Sequence, residues 1–369
     1  MKNSLRALQR RTVAGAAAIS ATALMLTACG AAPTSTGSAS ASASDYTACM
    51  VSDSGGFDDK SFNQSTYEGL KKASTELGIQ EKHVQSKADT DYGPNLRSMV
   101  QANCKLTVTV GFLLGDATKE IATANPKSHF AIVDYIDPKF PDNVKPIVYD
   151  TAQAAFLAGY LAAAESKTGK VATFGGLNIP TVTIFMDGFA DGVKYYNQKK
   201  SKSVQVLGWD KDKKDGTFVG DFKQVDKGKV LTQGFLDQGA DVILPVAGPV
   251  GGGAAAAIKE ANAKGATDKL IWVDSDGYLT APEYKDVIMT SVQKTMTDAV
   301  ETVIKQDKDG KFSKTPYVGT LANGGVALAP FHDFDSKIDA GTKSELDQLK
   351  KDIISGAVKV QSPSSPQQQ

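Results

Sequence analysis

"DVILPVAGPVGGGAAAAIKEANAKGATDKLIWVDSDG", from Asp241 to Gly277, holds a complete strand, helix, strand unit. "DVILPVAG" and "KLIWVDSD" are continuous in apolarity rather than alternating, as strands covered on both faces of a parallel sheet are. The alanine-rich "GGGAAAAIKEANAKG" between them reads as the crossover helix. The same alternation runs along the chain. Further strand-like runs are "TACMVS", "LTVTVGF", "HFAIVDY", "VKPIVYD", "GKVATFGG" and "VQVLGW". Between them lie the helical patterns "QSTYEGLKKASTEL", "GPNLRSMVQANC", "DATKEIATANP", "TAQAAFLAGYLAAAESKTG", "FMDGFADGVKYYNQ" and "GKVLTQGFLDQG". The fold class is therefore α/β, doubly wound. About 310 residues between Asp45 and Val358 exceed one ordinary core, which predicts two lobes.

In open parallel sheets, ligands sit beyond the carboxyl ends of the strands. Those ends carry Asp53 with Gly55 and Gly56, then Gly111, Gly115 with Asp116, and Asp134 with Tyr135. In the second half they carry Gly175 with Gly176, Ala247 with Gly248, and Asp274 to Gly277. One such aspartate is more often a helix cap or an Asx turn than a ligand contact, but several converging from two lobes outline a site. The densest stretch is "SDSGGFDDKSFNQSTYEG", Ser52 to Gly69, which crowds acids, amides and aromatics into a turn that needs none of them. Phe57 and Phe62 read there as apolar plugs beneath the turn. The entry "AGPVGGG" lacks both G-K-[ST] and G-x-G-x-x-G, so close backbone approach to an uncharged ligand fits it better than phosphate binding.

Lys and Arg together number 41, as do Asp and Glu, and no basic stripe with interleaved aromatics stands out. Nucleic acid is excluded as a partner on that ground. Lys2, Arg6, Arg10 and Arg11 precede an apolar run from Val13 to Leu26 of signal-peptide length, short of the roughly 20 residues of a spanning helix. Leu26 to Gly30 resembles the lipobox of bacterial lipoproteins, which implies cleavage before Cys29 and acylation of that residue. "GAAPTSTGSASASASD" then reads as a flexible tether, and "VQSPSSPQQQ" at the other end as disordered. Cys49 and Cys104 remain, each in or beside a predicted strand; in an oxidising compartment they form a disulfide or stay as two buried thiols. His83, His129 and His332 stand apart in the sequence and no C-x-x-C occurs, so neither a metal nor another cofactor is expected.

"SDSGGFDDKSFNQSTYEGL", "MDGFADGVKYY", "ADVILPVAGPVGGGAAAA", "WVDSDG" and "TSVQKTMTDAV" together resemble the basic membrane protein family of substrate-binding lipoproteins, purine nucleoside receptor A-like, from ABC import systems. The resemblance spans nearly all of residues 46 to 330. It implies a type I periplasmic-binding-protein fold, two Rossmann-like lobes with parallel sheets joined by a three-crossover hinge. The division expected is a signal peptide over 1–28, a tether over 29–44, an N-terminal lobe over 45–150 plus 295–322, a C-terminal lobe over 151–294 plus 323–358, and a disordered tail over 359–369. Carried over by position, Asp58, Asp59 and Asn63 face the ligand and Tyr67 stacks on the base. Asp134 adds a further acid, Gly248 a close backbone approach, and Lys294 a basic residue near the hinge. Asp274, with Asp276 behind it, takes the ribose hydroxyls. Where the family often has a second stacking aromatic this chain has Leu244-Pro245, leaving the opposite face aliphatic or filled by a residue such as Phe185. The function implied is a monomeric, non-enzymatic binding protein, held by Cys29 on the extracytoplasmic face of the cell membrane. It would deliver a nucleoside to the permease and ATPase subunits of an importer. The rival readings are an extracellular nucleoside hydrolase and a sensing module for another small molecule such as a sugar.

Overall fold

The structure, a computed structural model, describes residues 45–366; the expected signal peptide, tether and lipidated Cys29 lie outside the described residues. The chain opens with β1 (Thr47–Ser52), α1 (Phe62–Leu77), β2 (Gln80–Gln85), α2 (Tyr92–Gln101), β3 (Leu106–Val110), α3 (Gly115–Ala124), β4 (His129–Val133) and β5 (Val144–Tyr149). It then crosses through α4 (Thr151–Glu165) into β6 (Lys170–Gly175), α5 (Pro180–Lys200), β7 (Gln205–Leu207) and a small hairpin of β8 (Trp209–Asp210) and β9 (Asp215–Gly216). There follow α6 (Val225–Asp237), β10 (Val242–Val246), α7 (Gly251–Asn262), β11 (Lys269–Asp274), α8 (Gly277–Thr280) and β12 (Ile288–Lys294). The chain returns with α9 (Met296–Lys308) and β13 (Tyr317–Gly319), then crosses again to β14 (Val326–Leu328) and α10 (Ala340–Ser355).

Two six-stranded sheets result, ordered β13-β5-β4-β3-β1-β2 and β14-β12-β11-β10-β6-β7. Position by position the orders correspond, so β4 and β11 are equivalent, as are β1 and β6. The pairings are parallel except β12 with β14. The chain passes between the sheets three times, after β5, after β12 and after β13.

Helix α4 shows how the lobes are backed. Twelve of its fifteen residues are buried, as expected of a helix apolar on all sides. It meets α5 through glycines: a Cβ at Gly159 would stand 2.0 Å from the Phe189 carbonyl oxygen, and one at Gly192 would stand 2.0 Å from that of Phe156. No larger residue fits between these backbones.

Cys49 and Cys104 form a disulfide with Cα atoms 5.8 Å apart, bridging β1 to the entry of β3, its hydrogen-bonded neighbour. Closing a 55-residue separation constrains the unfolded chain by about 4 kcal/mol on the chain-entropy account. The eight strand-like runs correspond to β1, β3, β4, β5, β6, β7, β10 and β11. The eight runs do not include β2, whose "QEKHVQ" is a polar edge strand, β12, the hairpin of β8 and β9 or the short β13 and β14, and the helical patterns do not include the short α8 or the charged amphipathic α9 and α10. The tail expected to be disordered is laid against the body as far as residue 366. Ser362 donates to Asp187 at 2.5 Å and Ser365 to Asp150 at 2.8 Å. Its Ser and Pro composition carries no periodicity, yet its hydroxyls find partly or fully buried carboxylates.

Candidate ligand-binding site

The carboxyl ends of both sheets face one cavity, walled from the first lobe by Asp53, Asp59, Phe62, Asn63, Phe112 and Asp134. From the second it is walled by Phe185, Phe222, Gly248 and Asp274, with Lys294 from the crossover end of β12. Asp134 directly follows β4 and Asp274 ends β11, the equivalent strands, and both take left-handed backbone, at φ 63° and 69°. For a residue with a Cβ that conformation is strained, and it recurs where side chains are held for a purpose. Both address the Lys294 ammonium, Asp134 in a direct short bond and Asp274 at 3.4 Å. Burial works against the ammonium, but the two carboxylates outweigh it and hold Lys294 above its ordinary pKa. The Phe62 and Phe185 rings each lie 5.0 Å from its Nζ.

Asp59 and Asn63 come from the turn into α1. Asp59 accepts from the backbone N–H of Ser61 and Asn63 at 2.9 Å and of Gln64 at 3.0 Å, so its carboxylate satisfies the open amides at the helix start. Burial nevertheless pushes it up to about 6. Asn63 donates through Nδ2 to the Ser54 carbonyl at 3.0 Å, and its Oδ1 is buried with no partner among the described residues. Asp53 lies beside it, raised well above its ordinary value by burial and then by the charges of Asp59 and Asp134. A side-chain hydrogen bond from Asn63 to Asp53 acts against that shift, so the two side chains form one polar group in the wall. Gly111 makes room for Asp53: at φ 112° it has no side chain, and a Cβ there would fall 1.9 Å from Asp53 Oδ2.

The enclosed free space is about 60 Å³, small against the roughly 300–1,000 Å³ of ordinary ligand sites. The walls are drawn together by contacts between the lobes. The Lys60 carbonyl accepts from Ser275 Oγ and Thr280 Oγ1 at 2.8 Å and from Trp272 Nε1 at 3.3 Å. Ser61 Oγ donates to Asp274 Oδ2 at 2.9 Å. These lobes are closed on each other.

Residues 46–363 match the family described as Bmp, ABC transporter substrate-binding protein PnrA-like. The chain belongs to that family. It is 33% identical over 332 residues to the ABC transporter nucleoside-binding protein BmpA of Lactococcus lactis subsp. cremoris (strain MG1363), covering 86% of this chain and 90% of that one. It is 33% identical over 337 residues to the CD4+ T-cell-stimulating antigen of Listeria monocytogenes serovar 1/2a, covering 86% and 89%. Among solved structures, an ABC transporter solute-binding protein from Aeropyrum pernix K1 superposes with a TM-score of 0.78 at 26% identity, over 86% of this chain and 94% of that one. A solute-binding protein from Burkholderia multivorans, at 14% identity, shares the fold with a TM-score of 0.58 over 78% of this chain and 100% of that one. The fold is that of type I periplasmic-binding proteins, and this Bmp-family chain is a substrate-binding protein of an ABC transporter.

Six of the residues the sequence pointed to in this Bmp-family chain wall the cavity: Asp59, Asn63, Asp134, Gly248, Asp274 and Lys294. Three do not. Asp58 is exposed on the turn. Asp276 caps α8 through the Tyr278 amide and pairs with His332 at 2.8 Å. Tyr67 packs on Phe57 and His83, with ring centres 4.7 and 4.5 Å away. It follows Phe62 by five residues, about 140° around the helix, so the two cannot serve the same cleft. Phe62 is the α1 aromatic in the wall rather than an apolar plug beneath the turn. Nor does β10 supply the second aromatic: Leu244 is wholly buried in the sheet, and the second lobe offers Phe222, from the loop before α6, together with Phe185. Phe112 closes the strand-like run "LTVTVGF" just past Gly111, where the strand-end rule could have found it, whereas Phe222 lies in a loop away from the quoted motifs and carried no sequence signal.

Proposed function

We propose that the chain captures a nucleoside, a purine one first, between its lobes and passes it to the permease of an ABC importer, from the outer membrane face where Cys29 anchors it. The observation that carries the ligand class is Asn63 Oδ1, a buried acceptor with no partner among the described residues, in a cavity walled by aromatic rings. An unpaired buried acceptor of this kind costs about 1–3 kcal/mol unless a ligand N–H meets it, and a flat base gains about 1–3 kcal/mol per aromatic face. Asp274 suits vicinal ribose hydroxyls: a carboxylate has about four acceptor sites, and Ser61 and Lys294 occupy two. Relatives of similar length include one named as nucleoside-binding.

Calorimetry with guanosine, inosine, uridine, 2′-deoxyguanosine, guanine and ribose tests the reading. Guanosine and inosine should bind most tightly, and 2′-deoxyguanosine at least about tenfold more weakly than guanosine. In Asp274→Ala that penalty should largely vanish. Ribose binding as tightly as guanosine would replace the nucleoside reading with a sugar-binding one. For the anchor, Cys29→Ala should move the protein from the membrane to the soluble fraction; retention of that variant would remove the lipid anchor from the account.

A further inference from the structure

A second cavity, of about 310 Å³, adjoins the first on the far side of Lys294. Phe112, Asp134, Thr181 and Lys294 belong to both walls. Phe62, Phe222, Asn63 and Asp274 belong only to the first, so the shared boundary lies at Lys294, whose ammonium Asp274 faces from the first cavity at 3.4 Å. Tyr149 and Thr151 line the second cavity, are 4% and 0% exposed, and their hydroxyls find no hydrogen-bond partner among the described residues. Its outer wall is the segment Pro363 to Pro366, held by Ser364 to Thr183 at 2.9 Å and by Ser365 to Asp150 at 2.8 Å.

We infer that this second chamber extends the ligand site, taking an uncharged substituent at the sugar end of a bound nucleoside, such as a 5′-ether or 5′-thioether, with the chain's own C-terminal segment as its removable wall. The inference rests on the nucleoside reading. With the base between aromatic walls and the ribose on Asp274, the 5′ carbon points to the shared boundary. Orphaned hydroxyls and apolar side chains together suit a group that is mostly apolar with one heteroatom. A phosphate does not suit it: the Lys294 ammonium already faces two carboxylates, and an added anion would meet Asp134 at the threshold.

Calorimetry with adenosine, 5′-deoxy-5′-(methylthio)adenosine and adenosine 5′-monophosphate tests it on the wild type and on Ser364→Tyr, which fills the chamber from its roof without touching the first cavity. In the wild type the thioether should bind within about threefold of adenosine, and the monophosphate at least about hundredfold more weakly. Ser364→Tyr should weaken the thioether at least about tenfold and leave adenosine within about threefold. If that variant does not fold, a chain ending at Val358 removes the wall and should show the same selective loss. A thioether at least about tenfold weaker than adenosine in the wild type, a monophosphate equal to adenosine, or a variant that weakens both ligands alike overturns the inference. Failure of adenosine, guanosine and inosine together overturns the nucleoside reading and this inference with it. Failure of the thioether alone overturns only the second chamber.

Discussion

Phe62 and Tyr67 sit on one helix, and only Phe62 walls the cleft. Phe62→Ala should therefore cost about 1–3 kcal/mol in purine nucleoside affinity, the range for a lost stacking face, while Tyr67→Ala should leave affinity within about threefold. Calorimetry on the two variants decides between the rings, and a larger loss in Tyr67→Ala would reverse the assignment. Asp59 yields a pH dependence. Its carboxyl stands at about 6 in the fold against an ordinary 3.8, so folding favours the protonated acid. That contribution is whole below about pH 4 and is lost as pH rises through about 6. Asp53, raised by the same burial, acts in the same direction. Urea unfolding between pH 5 and 7 should show wild-type stability declining by on the order of 1 kcal/mol more than that of Asp59→Asn, which cannot titrate. Parallel slopes in the two proteins would mean that Asp59 stays ionised throughout.

Between elements, the α4 and α5 contact is set by missing side chains. Gly159→Ala places a methyl 2.0 Å from the Phe189 carbonyl oxygen, and helices packed that closely separate only at the expense of everything buried between them. Overpacking of this kind costs about 1–3 kcal/mol. Gly234, in the interior of α6, meets nothing within 4 Å of its hypothetical Cβ. Gly234→Ala should therefore stabilise by about 0.5–1 kcal/mol through helix propensity alone. Thermal unfolding should move the two variants in opposite directions from the wild type. Equal shifts would show that the close approach does not limit the helix pair.

The whole molecule is a clamp whose closed form is held partly by Lys60, a residue outside the cavity wall. Three donors from the second lobe converge on its carbonyl, and the backbone there is left-handed, at φ 59°. Ser275→Ala with Thr280→Val removes two donors at about 1 kcal/mol each. The closed population falls, and apparent affinity falls with the competent fraction, by up to about thirtyfold, although no group lining the first cavity has changed. Small-angle scattering should show the ligand-free double variant with a larger radius of gyration than the wild type, recovering on saturation with guanosine. A variant as compact as the wild type and equal in affinity would leave the Lys60 contacts no part in closure.

The sequence by itself determined the layered α/β class, the two lobes and the strand ends at which acids gather, because runs of buried strand and the turns that close them are local patterns. Motif position reached Asp134, Asp274 and Lys294 one at a time. That they form one buried group is a tertiary fact, since it depends on equivalent strands of two sheets being brought face to face by crossovers far apart in the chain. The polar edge strand β2 and the Ser-Pro segment near the C-terminus had no periodicity to read and owe their order to partners supplied from elsewhere. Only the packed structure could choose Phe62 over Tyr67 or bring Phe222 into the wall: five residues of helix decide which way a ring faces, and a loop aromatic belongs to whichever surface the fold lays beside it.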